Sequence, residues 1–189
     1  NVQHYFKKYN KLKKSEEASK LQIENAKEEY EYLLSVLTNI ENADSYDEIE
    51  EIKRELTDTG YIRFKKGTNK RPKQPKPMHF VSKDNIDIYV GKNNIQNDYL
   101  TLKLADKHDI WLHTKNIPGS HVIIKYFGIP PEDTLIEAAN LAAWYSKGKN
   151  STKVPVDYTQ VKNVRKPNGA KPGMVIYTTN KTIYVDPKK

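Results

Sequence analysis

Between Tyr5 and Ile40, side chains recur at alternating spacings of four and three: Tyr5, Tyr9, Leu12, Glu16, Ser19, Ile23, Ala26, Tyr30, Leu33, Leu37 and Ile40. All but Glu16 and Ser19 are apolar, and those two are neighbours in the series. The pattern is that of a coiled-coil seam with a weak middle, about 55 Å long at 1.5 Å per residue. Asn42-Ala-Asp44-Ser45 breaks it, with Asp44 or Ser45 suited to cap a second helix that carries Ile49, Ile52 and Leu56 and stops at Gly60. The two helices are expected to fold back as an antiparallel hairpin over residues 1–60. The far part of the first helix is then unpartnered, and a homodimer through its seam is the expected way to bury it.

The period changes from Phe80 onward. Ile86, Ile88 and Val90 alternate as a strand, Gly91-Lys-Asn-Asn94 follows as a polar loop, and Asn97 is placed to cap a helix with Leu100 and Leu104. A hairpin comes next, turning at Asn116-Ile-Pro-Gly-Ser120. Pro130-Pro131 opens a helix through Leu135, Ala138, Leu141, Ala142 and Tyr145. Short β-rich runs at Val154–Val156, Gln160–Arg165, Met174–Thr178 and Thr182–Val185 close the chain. The expected class is α+β: a helical hairpin, then residues 80–189 as a mixed or antiparallel sheet with about two helices. Trp144 on the second of these helices is expected in a core or an interface.

The hairpin carries the most distinctive chemistry. With a period of two, Trp111, His113 and Lys115 project on one face of the first strand, and His121, Ile123 and Lys125 alternate likewise on the return strand. If the strands pair in register, one face gathers an indole, two imidazoles and two ammonium groups. Such a surface suits stacking on bases and neutralising phosphates. Each residue taken alone has another reading: Trp111 as core, His113 and His121 as satisfied structural histidines. Against that, a strand face meant for burial seldom carries two lysines along with two histidines.

Charge sharpens the picture. The net charge of +8 divides unevenly: residues 1–60 hold 9 basic and 14 acidic side chains, residues 61–189 hold 23 and 10. The C-terminal part therefore carries +13, the electrostatic footprint of a polyanion binder. Residues 61–83 hold 8 basic side chains and no acid, with Pro72, Pro75 and Pro77 preventing a regular helix. The segment 61–79 reads as a basic linker or exposed loop. The basic start of the long helix, Lys7 to Lys14, is either an RNA grip or a solvated helix end. Cysteine is absent, which excludes disulfides and thiolate metal sites. No apolar run approaches the roughly 18 residues of a membrane span.

Enzymatic readings fare poorly. Asp109, His113 and Ser120 invite a hydrolase, but Pro118-Gly-Ser-His121 lacks the turn that exposes a nucleophile. His108, His113 and His121 form no recognised metal motif, and the Gly91 loop has one glycine rather than a dinucleotide fingerprint. The expectation is a binding protein without catalysis, metal or cofactor. Its RNA-contact candidates are Lys92, Asn93, Asn94, Trp111, His113, Lys115, His121 and Lys125, extended by Arg63, Lys65, Lys66, Lys162, Arg165 and Lys166.

Beyond these features, Tyr89-Val-Gly-Lys-Asn-Asn94, Gln96-Asn-Asp98, Asp109-Ile-Trp-Leu-His113, Pro118-Gly-Ser-His-Val122, Glu137-Ala-Ala139, Val156-Asp-Tyr158 and Gly169-Ala-Lys-Pro-Gly173 together resemble the NFACT-R domain of the NFACT family. The likeness runs from about Tyr61 to Pro187, and the preceding helices resemble the family's coiled-coil middle region. Asn85 departs from the family pattern, standing where Gly is usual after Asp84; Lys92 stands where Arg is common. Members are called RqcH-like ribosome quality-control factors or fibronectin-binding protein A-like. The resemblance implies a cytoplasmic partner, a large ribosomal subunit blocked by peptidyl-tRNA, with contacts to rRNA or tRNA. The family's second name implies the alternative, a cell-surface adhesin for fibronectin or fibrinogen.

Overall fold

A computed structural model describes residues 1–63 and 74–188. Lys65 and Lys66 lie outside the described residues. The chain forms two compact units, Asn1–Leu34 and Ser35–Lys189. The first is a stretch of helix α1 (Val2–Glu41), with Tyr5, Tyr9, Leu12, Ile23 and Tyr30 of the four-three series all more than half exposed.

Helix α2 (Tyr46–Asp58) begins where the sequence places it. Ser45 is the N-cap: its Oγ accepts from the Glu48 amide, and Glu48 Oε2 accepts from the Asp44 amide at 2.9 Å. Gly60, at φ 84°, ends the turn that follows. The compact boundary falls inside α1, so α2 belongs with the sheet.

Six strands form one antiparallel sheet in the order β1-β2-β4-β3-β5-β8: β1 (Met78–Val81), β2 (Asp87–Val90), β3 (Ile110–Thr114), β4 (Val122–Ile124), β5 (Val154–Gln160) and β8 (Lys181–Val185). A two-stranded ribbon, β6 (Val164–Arg165) and β7 (Ile176–Tyr177), stands apart from it. The β1–β2 turn places Asn85 at φ 59°. That left-handed position is glycine's by default, and asparagine is among the few side chains that tolerate it, so the departure keeps the turn.

Helix α4 (Glu132–Trp144), with Pro131 at its N-cap, covers one sheet face. Ala138, Ala139, Leu141, Ala142 and Ala143 meet Ile88, Val90, Ile110, Leu112, Val122, Ile124 and Val156 there. Small residues let the helix lie close on a β-branched surface. Trp144 is half-buried under the Lys149 ammonium, 4.6 Å above its ring.

The other helix differs from expectation in its cap. Asn93, not Asn97, caps α3 (Asn94–Tyr99), accepting from the Gln96 amide at 2.9 Å, and a π-helical turn at Leu100–Leu104 continues it. Asn97 is instead buried, its Oδ1 accepting from the His121 amide at 3.0 Å. A side chain at Gly91 would collide with that amide, since its Cβ would lie 2.2 Å from Asn97 Oδ1.

Candidate nucleic-acid interface

The hairpin pairs as the alternation requires. Trp111 faces Ile123 and Leu112 faces Val122, so Trp111, His113 and His121 share one sheet face. Their rings touch: Trp111 lies 5.7 Å from His113 and 5.2 Å from His121, and the two imidazoles are 5.4 Å apart, edge to face. The pooling is real, but the face is closed. Trp111 is fully buried and His121 is 2 % exposed.

The cover has a sequence cause. Val161, Val164, Val175 and Tyr177 come from the short 3-10 turn at Val161–Asn163 and from the β6–β7 ribbon beyond it. They pack with Leu100, Trp111 and Ile123 into a second, smaller core. Tyr177 crosses the indole at 4.8 Å. Burial, together with the bond its hydroxyl donates to buried Asp157 at 2.9 Å, pushes the Tyr177 phenol up to about 12. Trp111 and His121 are therefore core residues, and the expected RNA contacts, stacking by Trp111 and hydrogen bonding by His121, are closed off because the ribbon seals them. His121 Nδ1 is 2.8 Å from Thr101 Oγ1. His113 is partly exposed at the edge of the same cluster.

Burial holds both imidazoles neutral. It pulls His113 down to about 4 against smaller opposing effects from the Gly119 and Thr114 backbone and Asp157, and it drives His121 well below the usual histidine range, with His113 and Lys166 adding to the depression. Because the folded values lie below the unfolded one, their stability is fully present above about pH 6.5. It is lost as pH falls through the window toward pH 4, where the unfolded chain binds the extra protons. For His113, partly open to solvent, the expected effect is a loss of stability toward pH 4. Thermal melts of wild type and His113→Phe across that window check this: the wild-type transition should fall more steeply.

Three of the cations named from sequence, Lys92, Lys125 and Lys166, are also committed internally. Helix α2 presents Glu48, Glu51 and Glu55 at helical spacing along one face. Glu48 pairs with Lys92; Glu51 Oε2 accepts from Asn93 Nδ2 and Gln96 Nε2, each at 2.7 Å; Glu55 accepts from Asn94 Nδ2 at 2.9 Å. Asn93 and Asn94 are buried. The Lys92–Asn94 loop thus meets an acidic helix of its own chain rather than solvent, which corrects the expectation of an RNA-contact loop. Burial alone would raise the Glu48 carboxyl, but the Lys92 ammonium and the Asp44 amide outweigh it and hold it low.

Lys125 bridges Asp106 and Asp109 at 2.6 Å each, and Lys166 pairs with Asp98. Those carboxylates offset both charges, so neither cation stands open to a polyanion. Lys115 keeps 45 % of its side chain exposed, 3.8 Å from Asp157. Arg63, Lys162 and Arg165 are exposed and have no ion pair among the described residues.

What remains open lies on the outside of the cover. On the segment from Val161 to Arg165, valines point inward at Val161 and Val164 while Lys162 and Arg165 point out. The Lys162 amide donates to the Lys107 carbonyl at 3.1 Å, which brings Lys107, itself exposed, into the same group. Lys107 was missed by sequence reasoning because it sits in a turn with no strand period, and only the pairing of distant loops places it. The arrangement is a group of exposed cations on the outer side of the segments that cover Trp111, suited to phosphates and carrying no base-reading geometry of its own.

Comparison with known proteins decides the family. The N-terminal and middle domains of NFACT match residues 1–75, and the NFACT protein RNA binding domain matches residues 76–179. The chain belongs to the NFACT family. It is 47 % identical over 190 residues to the Rqc2 homolog RqcH of Bacillus subtilis (strain 168) and 44 % identical over 188 residues to that of Streptococcus suis (strain 05ZYH33). Each alignment spans 99 % of this chain but only 33 % and 34 % of the relative, so the chain spans about a third of these proteins' length. A solved structure, the C-terminal part of the fibronectin/fibrinogen-binding protein from Streptococcus suis, superposes with a TM-score of 0.93 at 43 % identity. That superposition covers all of this chain and 76 % of the other. Among the described residues no helix is long and apolar enough to cross a membrane, and no acid–histidine cluster is arranged to hold a metal.

Proposed function

We propose that this chain is the RNA-binding part of a ribosome-associated quality-control factor, in which the sheet domain contacts rRNA or tRNA on the large ribosomal subunit while a nascent chain is stalled there. The observation that carries this reading is the group of exposed cations Lys107, Lys162 and Arg165, on the outer side of the segments that cover a buried core, in a domain of an RNA-binding family. The role is binding, with no catalytic step and no cofactor, and its setting is the cytoplasm. The exposed seam of residues 1–34 fits a second helix, and a second copy of the chain is the occupant this reading assigns.

The name of the solved relative favours a second reading, an adhesin for fibronectin or fibrinogen. Affinities for purified large ribosomal subunits and for immobilised fibronectin separate the two. The quality-control reading expects subunit binding that weakens by at least tenfold between 50 and 200 mM salt, with weak, non-saturating fibronectin binding. Saturable fibronectin binding without subunit binding overturns it.

A further inference from the structure

The segment Phe127-Gly-Ile129 breaks the usual rule for large apolar side chains. Phe127 is 78 % exposed and Ile129 is 92 % exposed, the most open large apolar side chains among the described residues. They form the tip of the connection from β4 to α4. Gly128, at φ 106°, permits a backbone turn that a side chain would strain. Pro130 and Pro131 follow directly and fix the chain on its way into the helix. The tip is thus held stiffly while both of its side chains stay in solvent.

One side of it meets an aromatic ring and an exposed cation. The His108 ring lies 4.9 Å from the Phe127 ring, tilted by 60°. His108 adjoins Lys107, whose carbonyl holds the Lys162 amide. The tip therefore adjoins the group of exposed cations described above. Of the acids near this region, Asp106 is engaged by Lys125, which holds its carboxyl low, while Glu132 and Asp133 stand exposed in the first turn of α4, on the side away from His108 in sequence. An exposed ring beside His108 and Lys107 fits one occupant better than others. An unpaired nucleobase offers a flat π-face to Phe127, and the phosphates on either side of it reach Lys107 and Lys162. Ile129 then covers the open edge of the stacked base, as apolar wedges do at unstacked steps.

We infer that Phe127 and Ile129 form a stacking tip for an unpaired base of single-stranded RNA, with Lys107 and Lys162 gripping the flanking phosphates. This rests on the RNA-binding reading and assigns it a site, since it makes a loop or splayed strand the substrate in place of a duplex. Every residue involved lies outside the Trp111 cluster and is exposed, so truncation leaves the cores intact.

The test uses the whole chain with a dodecamer of single-stranded RNA carrying a central 2-aminopurine, and the same dodecamer in a perfect duplex. Wild type is expected to bind the single strand more tightly and to quench its fluorescence. Phe127→Ala should weaken single-strand binding about tenfold and abolish quenching, Phe127→Tyr should restore both, and duplex binding should not change. Lys107→Ala should weaken both ligands and lower the salt dependence while preserving the quench at saturation. Single-strand affinity and quenching unchanged in Phe127→Ala overturn the stacking tip and leave RNA binding standing. A Phe127→Ala defect that appears only with intact ribosomal subunits means a protein partner at the tip and also overturns it. Wild type that binds neither RNA overturns this inference and the reading beneath it.

Discussion

Trp111→Ala should unfold the chain at a temperature roughly 10 °C lower than wild type, reflecting a loss of about 3–5 kcal/mol. The indole is fully buried between the sheet and the β6–β7 ribbon, with His113, His121 and Tyr177 against it and Leu100, Ile123, Val161 and Val164 in the same cluster. Removing it leaves a cavity that a strand and a ribbon pinned at both ends cannot fill. Its Nε1–H is buried without a hydrogen-bond partner among the described residues, so Trp111→Phe forfeits no polar contact and should cost much less. Calorimetry of the two variants checks both figures. RNA binding by Trp111→Ala, measured well below its transition, should stay within a few-fold of wild type. A stable Trp111→Ala chain that had lost RNA binding would instead restore the stacking role that burial denies.

The second large effect concerns charge. Reversing Lys107, Lys162 and Arg165 together to Glu should weaken RNA binding on the order of a hundredfold at moderate salt, with little change in melting temperature. All three side chains are exposed and none has an ion pair among the described residues, so the substitutions break no folded-state contact. Reversal of Lys125 or Lys92 should behave differently. Each faces carboxylates of its own chain, Asp106 and Asp109 or Glu48, and repulsion there should lower stability first. Comparing the two classes by melting and by RNA titration separates structural lysines from contact lysines.

The contrast marks how far the sequence could be read. Alternation along Asp109–Ile124 shows which side chains share a face of each strand, but the register that pairs Trp111 with Ile123 and brings two imidazoles together comes from the structure. What covers that face was not legible. The covering valines belong to a run more than 35 residues further along, whose short 3-10 turn and two-residue strands leave almost no periodic signal. Lysine and histidine on a strand suggest exposure, yet Lys125 is neutralised by two aspartates and His121 is kept uncharged by burial. The Asn93–Asn94 amides misled for a related reason. Their partners are the carboxylates of α2, some 40 residues earlier, and an acidic helix face reads in sequence as a solvated one. The helix cap at Ser45 was legible because capping is local; Asn97 went wrong because its side chain serves a distant amide.

The claim that phosphate contacts by Lys107, Lys162 and Arg165 hold RNA is tested most directly by the salt dependence of binding. Titrations of wild type and of the Lys107→Glu, Lys162→Glu, Arg165→Glu chain with single-stranded RNA between 50 and 300 mM salt give the two slopes. About three to five phosphate contacts predict a wild-type slope of log affinity against log salt near −2 to −3.5, flattening by about two in the variant. Equal slopes in the two proteins, or a flat wild-type line, would contradict the assignment.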